Sequence, residues 1–175
     1  MSEISLDSLQ LKVNEGTEKF QFNNQTIEVK HYLSAEEKDN LLQATIQAAS
    51  AGTVFNPFAA DIYFHLYLVI YYTNIAFTEE EMSDLPKLYD ILESNGLIDM
   101  VLDYIEDEEY EQLKDYVNAL SDIVIDYNTS IAKIVNTIEQ FAPNAAEKIS
   151  KEMNEFDIDK YEHVVNIARA TGAKV

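Results

Sequence analysis

Three histidines, His31, His65 and His163, are the side chains whose ordinary proton affinity suits general-base work near neutral pH. They stand far apart in the chain: His31 follows an extended run, His65 lies within the most apolar stretch, and His163 sits beside Glu162 near the end. Asp61 and His65, four residues apart, share a helix face, a spacing that suits either a buried hydrogen-bonded pair or two ligands of a metal. No second Glu-x-x-His motif completes a bundle-type metal centre, so the buried pair is the reading adopted and no metal is assigned. Asp157-Ile158-Asp159 offers alternating oxygen donors without the turn glycine and closing glutamate of a calcium loop, and reads as a helix cap. The absence of Cys removes thiolate nucleophiles and Cys-containing zinc sites. None of the four Gly stands in a phosphate-binding loop or a nucleophile elbow. Carboxylates are so many that no pair can be singled out for acid–base catalysis. The expectation is a protein that is not an enzyme and needs no cofactor.

Those carboxylates are the unusual feature, with 32 Asp and Glu against 12 Lys and Arg for a net charge of −20. Residues 1–57 carry −4 and residues 143–175 only −1, whereas residues 58–105 carry −8 and residues 106–142 carry −7. A surface of that sign repels nucleic-acid phosphates and anionic membranes and speeds encounter with basic partners, so direct nucleic-acid binding is not expected. Glu79-Glu80-Glu81 and Glu106-Asp107-Glu108-Glu109 open expected helices, where negative charge complements the macrodipole. Capping leaves a surplus unexplained. Asp99, Asp103, Glu106, Glu108, Glu109, Glu111, Asp115, Asp122 and Asp126 are therefore the candidate partner-binding surface, against the plainer reading of a solubility coat.

The elements that position these residues are mostly helical. From Lys19 to Lys30, apolar and polar residues alternate on both sides of Asn23-Asn24, the period of a β-hairpin. Ser34 with Glu37 makes a capping box before Leu41, Leu42, Thr45, Ile46 and Ala49, predicting an amphipathic helix that ends near Gly52. Pro57 suits the first turn of a helix running on to Phe77. That stretch holds enough apolar residues for a membrane span of about 20. Asp61 and His65 interrupt it and no basic flank anchors it, so it reads as a buried central helix and no membrane contact is expected. Thr78 with Glu81 forms a second capping box. Pro86 inside the following apolar pattern either kinks that helix or moves its start a turn later, and Asn95-Gly96 stops it. A short helix over 97–105 follows.

The strongest periodic signal runs from Asp107 to Phe141 without Gly or Pro, with Tyr110, Leu113, Val117, Leu120, Val124, Tyr127, Ile131, Ile134, Ile138 and Phe141 spaced by three and four. Such a helix is about 50 Å long. Its flanking positions lack the opposed charges of a dimeric zipper, and Tyr116, Ile123 and Val135 are expected to broaden the stripe into a bundle-facing surface. Packing within one chain is the favoured reading and packing between subunits the alternative. Pro143 stops the helix, and two shorter ones are predicted over 144–156 and 158–170. The fold class expected is mainly α: a single domain over 1–175, with an N-terminal β-hairpin at 19–30, a helical bundle over 34–170 and the long heptad-patterned helix at 107–141. Met1–Asp7 lacks the basic start and apolar run of a secretory signal, which places the chain inside a cell.

The segment Phe22–Lys38, a hairpin leading through Glu28-Val29-Lys30-His31-Tyr32-Leu33-Ser34 into a capped helix, resembles small proteins from the structural modules of tailed bacteriophages of Gram-positive hosts. The runs Tyr71-Tyr72-Thr73-Asn74-Ile75-Ala76-Phe77-Thr78 and Leu88-Tyr89-Asp90-Ile91-Leu92-Glu93-Ser94-Asn95-Gly96-Leu97-Ile98 extend the resemblance to about a third of the chain. It implies a head, neck or tail component, or a tail assembly chaperone, located in the host cytoplasm or the virion. The partners implied are phage structural proteins or a second copy of the chain. The acidity also supports a different reading, a nucleic-acid mimic whose carboxylates occupy the basic groove of a DNA-binding protein.

Overall fold

The structure, a computed structural model, describes residues 4–50 and 54–141, with side chains as far as Lys133. The helices predicted over 144–156 and 158–170, the Asp157–Asp159 motif and His163 lie outside the described residues, as do the side chains of Ile134, Val135, Ile138 and Phe141. After a 3-10 turn at Leu6–Leu9 come strands β1 (Thr17–Phe22) and β2 (Gln25–Lys30). Six helices follow: α1 (Ala35–Ala49), α2 (Pro57–Tyr72), α3 (Glu79–Met82), α4 (Leu85–Ser94), α5 (Leu97–Leu102) and α6 (Asp107–Phe141). The described residues are thus mainly helical, with a small antiparallel hairpin near their start and a long helix at their end, as the periodicities predict.

The hairpin forms because its turn and its pattern agree. Asn23 and Asn24 adopt φ of 49° and 64°, the left-handed pair a two-residue type I′ turn needs and one that Asn tolerates better than most residues. Pairing in the register Phe20 opposite Ile27 puts both apolar residues on the core face, while Lys19 lies directly opposite Glu28 on the solvent face and forms an ion pair with it. Phe20 stacks on Tyr104, with centroids 5.1 Å apart, and so ties the hairpin to the far half of the chain.

Ser34 and Glu37 form both hydrogen bonds of the capping box that starts α1. The second oxygen of Glu37 accepts from Lys30 Nζ at 2.7 Å, which joins the end of β2 to the first turn of α1. The Lys30 hydrogen bond is the largest of the effects that pull the Glu37 pKa down from 4.5 to about 2, followed by the bond from the Ser34 backbone. A carboxylate depressed in the folded state adds stability that is present above pH 4.5 and fades as pH falls towards 2. Both partners are more than a third exposed, so screening reduces the contribution to about 1 kcal/mol. Between pH 5 and pH 2.5, Glu37→Gln should therefore lose less unfolding free energy than the native chain by about that amount, read from urea titrations at the two pH values. Equal losses would show that this carboxylate is not depressed.

Asn56 caps α2 by accepting from the backbone N–H of Phe58 and Ala59, with Pro57 in the first turn. The helix stops at Tyr72, five residues before the predicted Phe77. Beyond it Thr73 bridges to Val29, Asn74 N–H donates to the Glu28 carbonyl at 3.2 Å, and the Asn74 side chain accepts from Glu28 N–H at 3.0 Å. Backbone pairing with the hairpin has replaced another helical turn. The Thr78–Glu81 capping box also forms, but heads only the single turn α3. Pro86 cannot donate to the turn before it, so α4 starts afresh at Leu85, with Asp84 accepting from Lys87 N–H and Pro86 in the first turn. Gly96 then takes φ +71° between α4 and α5. α5 ends at Leu102 rather than 105.

α1 and α2 lie side by side and α6 packs against both, with α4 and α5 closing over α2. Leu41, Phe64, Leu66, Leu68, Val69, Tyr72, Val101 and Leu113 are almost wholly buried in the main core, which also takes Val29 and Leu33 from the N-terminal segment. A smaller cluster of Ala49, Phe55, Ala60 and Val124 joins α1, α2 and α6 farther along. Its alanines permit close helix approach. The buried hydroxyls of Thr45 and Ser121 donate to the carbonyls of Leu41 and Val117 four residues back. Among the described residues no helix is long and apolar enough to cross a membrane.

Candidate functional site

α6 carries five of its six candidate carboxylates opposite its packing face. Leu113, Val117, Ser121, Val124 and Tyr127 are buried. Glu108, Glu111, Asp115, Asp122 and Asp126 are exposed. At 100° per residue these five fall within about a sixth of the circumference, and they extend over about 27 Å of axis. Asp107, Glu108 and Glu109 begin the helix, where their charge offsets the unsatisfied N–H groups. Among the described residues, none of the five on the exposed row sits in an ion pair.

The nine candidate carboxylates do not form one surface. Asp103 and Glu106 are exposed in the connection between α5 and α6. Asp99 belongs to another group, with Asp61, Asp90 and Glu93 around Tyr89. Desolvation first, and then these carboxylates, raise the pKa of the Tyr89 hydroxyl. Glu109 is a correction, because only 10% of its side chain is exposed. Its carboxylate accepts from the Tyr72 hydroxyl and from the Leu33 backbone N–H at 3.3 Å, with Lys38 Nζ at 3.3 Å. Lys38 in turn lies over the Tyr32 ring, 4.4 Å from its centroid. Burial first, and the bond to Glu109 second, hold the Tyr72 pKa far above its ordinary value, so the hydroxyl remains a donor. This knot ties α6 to α2, to the start of α1 and to the chain after β2. No sequence pattern marks Tyr72 and Glu109 as partners, since 37 residues separate them.

A second correction concerns the helix flanks. Tyr116 and Ile123 are each 52% exposed and do not face the bundle. The stripe broadens on the other side, towards Ser121, which lies beside Ala60 and Phe64 of α2. Within the described side chains, Leu113, Val117 and Val124 find their packing inside one chain, as the intramolecular reading expected.

The Asp61–His65 pair is not the buried side-chain pair expected. The Asp61 carboxylate is 60% exposed and 3.9 Å from the ring. His65 Nδ1 instead lies 2.8 Å from the Asp61 carbonyl oxygen, and Nε2 lies 3.1 Å from the Tyr110 hydroxyl. A carbonyl can only accept, so Nδ1 carries a proton, and in the neutral ring Nε2 accepts from Tyr110. Lys114 Nζ donates to the Tyr110 oxygen at 3.4 Å and has its pKa raised, chiefly by that bond. A chain of hydrogen bonds thus runs from Lys114 through Tyr110 and His65 to the α2 backbone. His31, elsewhere, faces Glu18 at 3.8 Å.

Beside this chain a groove of about 230 Å³ opens between α2 and α6. Ala60, Phe64, Val117 and Ile125 supply its apolar lining, and Asp61, Lys114, Asn118 and Asp122 its polar lining. Of the candidate residues only Asp122 reaches it. The chain as a whole matches no protein-family model, no curated protein and no solved structure.

Proposed function

We propose that the chain is a non-enzymatic structural or assembly protein of a tailed bacteriophage, working in the host cytoplasm or the virion, and that it holds partner proteins through the acidic outer face of its helical bundle. The observation that carries this reading is the row Glu108, Glu111, Asp115, Asp122 and Asp126, exposed and outside any described ion pair on a helix whose opposite face is buried. Exposed charges cost little to keep in water but steer encounter with an oppositely charged surface. The phage assignment rests on the resemblance of the hairpin and first helix, and its partners would be phage structural proteins or a second copy.

The test is affinity capture from phage-producing cells with the native chain and with the triple variant Asp115→Lys, Asp122→Lys, Asp126→Lys. The native chain should retain a phage structural protein, and the variant about tenfold less of it, since several steering charges change sign together. Retention of no phage structural protein by the native chain would overturn the reading. The linear row of carboxylates also favours a second reading, a mimic of a phosphate backbone. That version requires capture of a basic DNA-binding protein, with affinity falling steeply as salt rises.

A further inference from the structure

We infer that the α2–α6 groove is the seat for an apolar anchor of a basic amphipathic helix from a partner protein. The inference rests on the partner-binding reading and locates the contact within it. Phe64 and Val117 are already packed and form a fixed floor, while Ile125 stays 38% exposed at the lining. A space of about 230 Å³ accommodates one or two aliphatic side chains, not a cofactor-sized molecule. Walls provided by two helices suit a third helix that inserts anchors three and four residues apart.

Charge complementarity selects the partner. Asp61 projects from the α2 wall and Asp122 from the α6 wall, both exposed. Lys114, the one cation of the lining, donates to Tyr110 and lies 5.4 Å from that ring's centroid. Lys114 is also drawn to Asp61, so two carboxylates against one cation leave the lining with one negative charge in excess, which a Lys or Arg flanking the anchor would meet. The hydrogen-bond chain Lys114–Tyr110–His65 holds the wall in place before binding, so little ordering cost falls on the groove itself.

The experiment titrates the full chain into a fluorescein-labelled Leu/Lys amphipathic peptide of about 18 residues, at roughly 0.15 M salt so that loose charge attraction is screened. Asn118→Trp fills the groove, Asp61→Lys reverses a wall charge, and Asp115→Lys makes the same charge change on the outer row. Both groove variants should weaken binding by about tenfold or more, and by more than Asp115→Lys, whose carboxylate steers approach from the outer row and should account for about threefold. Amide shifts of the native chain should fall on residues 57–64 and 114–125, an independent readout if a variant misfolds. Equal losses for Asp61→Lys and Asp115→Lys, with shifts spread along α6, would move binding to the acidic row and overturn the groove while leaving the proposed function standing. Absence of peptide binding would also overturn it. So would a native dimer, seen by sedimentation, that the groove variants dissolve without changing peptide affinity, because the occupant would then be a second copy.

Discussion

Glu109→Ala should lower the unfolding free energy by about 4 kcal/mol, which would be a large part of the stability of a chain this size. The carboxylate is not merely a surface charge at the start of α6. Its removal strands the hydroxyl of Tyr72, a residue with no solvent exposure, and the backbone N–H of Leu33, also fully buried. It also leaves Lys38, with a side chain only 18% exposed, without its counter-charge. A buried donor without an acceptor costs about 1–3 kcal/mol, and breaking a buried pair from one side costs more than the pair contributes. Glu109→Gln keeps an acceptor oxygen in nearly the same place and should cost about half as much. Tyr72→Phe in the Glu109→Ala background should cost less than in the native chain, because the stranded hydroxyl is gone. Urea or thermal unfolding of the native chain and the four variants checks all of this. A loss below about 1 kcal/mol for Glu109→Ala would show that the knot does not hold α6 to the N-terminal half.

Phe64→Ala should cost about 3 kcal/mol, at the low end of the range for deleting a buried aromatic ring. The ring is 1% exposed, its centroid is 5.8 Å from that of Tyr110, and it belongs to the core shared by α2 and α6. The cost sits at the low end because the ring also lines the α2–α6 groove, so solvent can enter the space it leaves. Leu41→Ala, at a site with no exposure and outside that groove, has no such relief and should cost at least as much despite losing fewer atoms. Denaturant titration with an unchanged slope would confirm lost packing without a change in unfolding mechanism. Leu41→Ala costing clearly less than Phe64→Ala would contradict the argument from solvent access.

Local signals in the chain were reliable where one short-range interaction decided the outcome. The Asn23-Asn24 turn, both capping boxes, Pro57 in the first turn of α2 and the heptad spacing of α6 each involve residues within a turn or two of one another. Their energetics do not depend on what lies across the fold. Failure came where a distant segment competed. α2 stops at Tyr72 because Thr73 and Asn74 pair with Val29 and Glu28 of the hairpin, over 40 residues away. His65 turned from the Asp61 carboxylate to Tyr110, 45 residues on.

The candidate site shows the same division. Periodicity alone places Glu108, Glu111, Asp115, Asp122 and Asp126 on one face of α6, because 100° per residue is a property of the backbone and not of its surroundings. It cannot say how wide the buried stripe is or towards which flank it leans. Tyr116 and Ser121 stand on opposite sides of the heptad seam, and hydrophobicity favours burying Tyr116. The structure buries Ser121 beside α2, with its hydroxyl satisfied by the Val117 carbonyl, and leaves Tyr116 out. Composition likewise sees Glu109 as one more carboxylate in an acidic run. Only the arrival of Tyr72, Leu33 and Lys38 around it turns that charge inward. The chain by itself determines which residues share a face and where helices begin, through backbone period and caps. Tertiary packing decides which face meets another element, and so which carboxylates hold the fold together and which stay exposed.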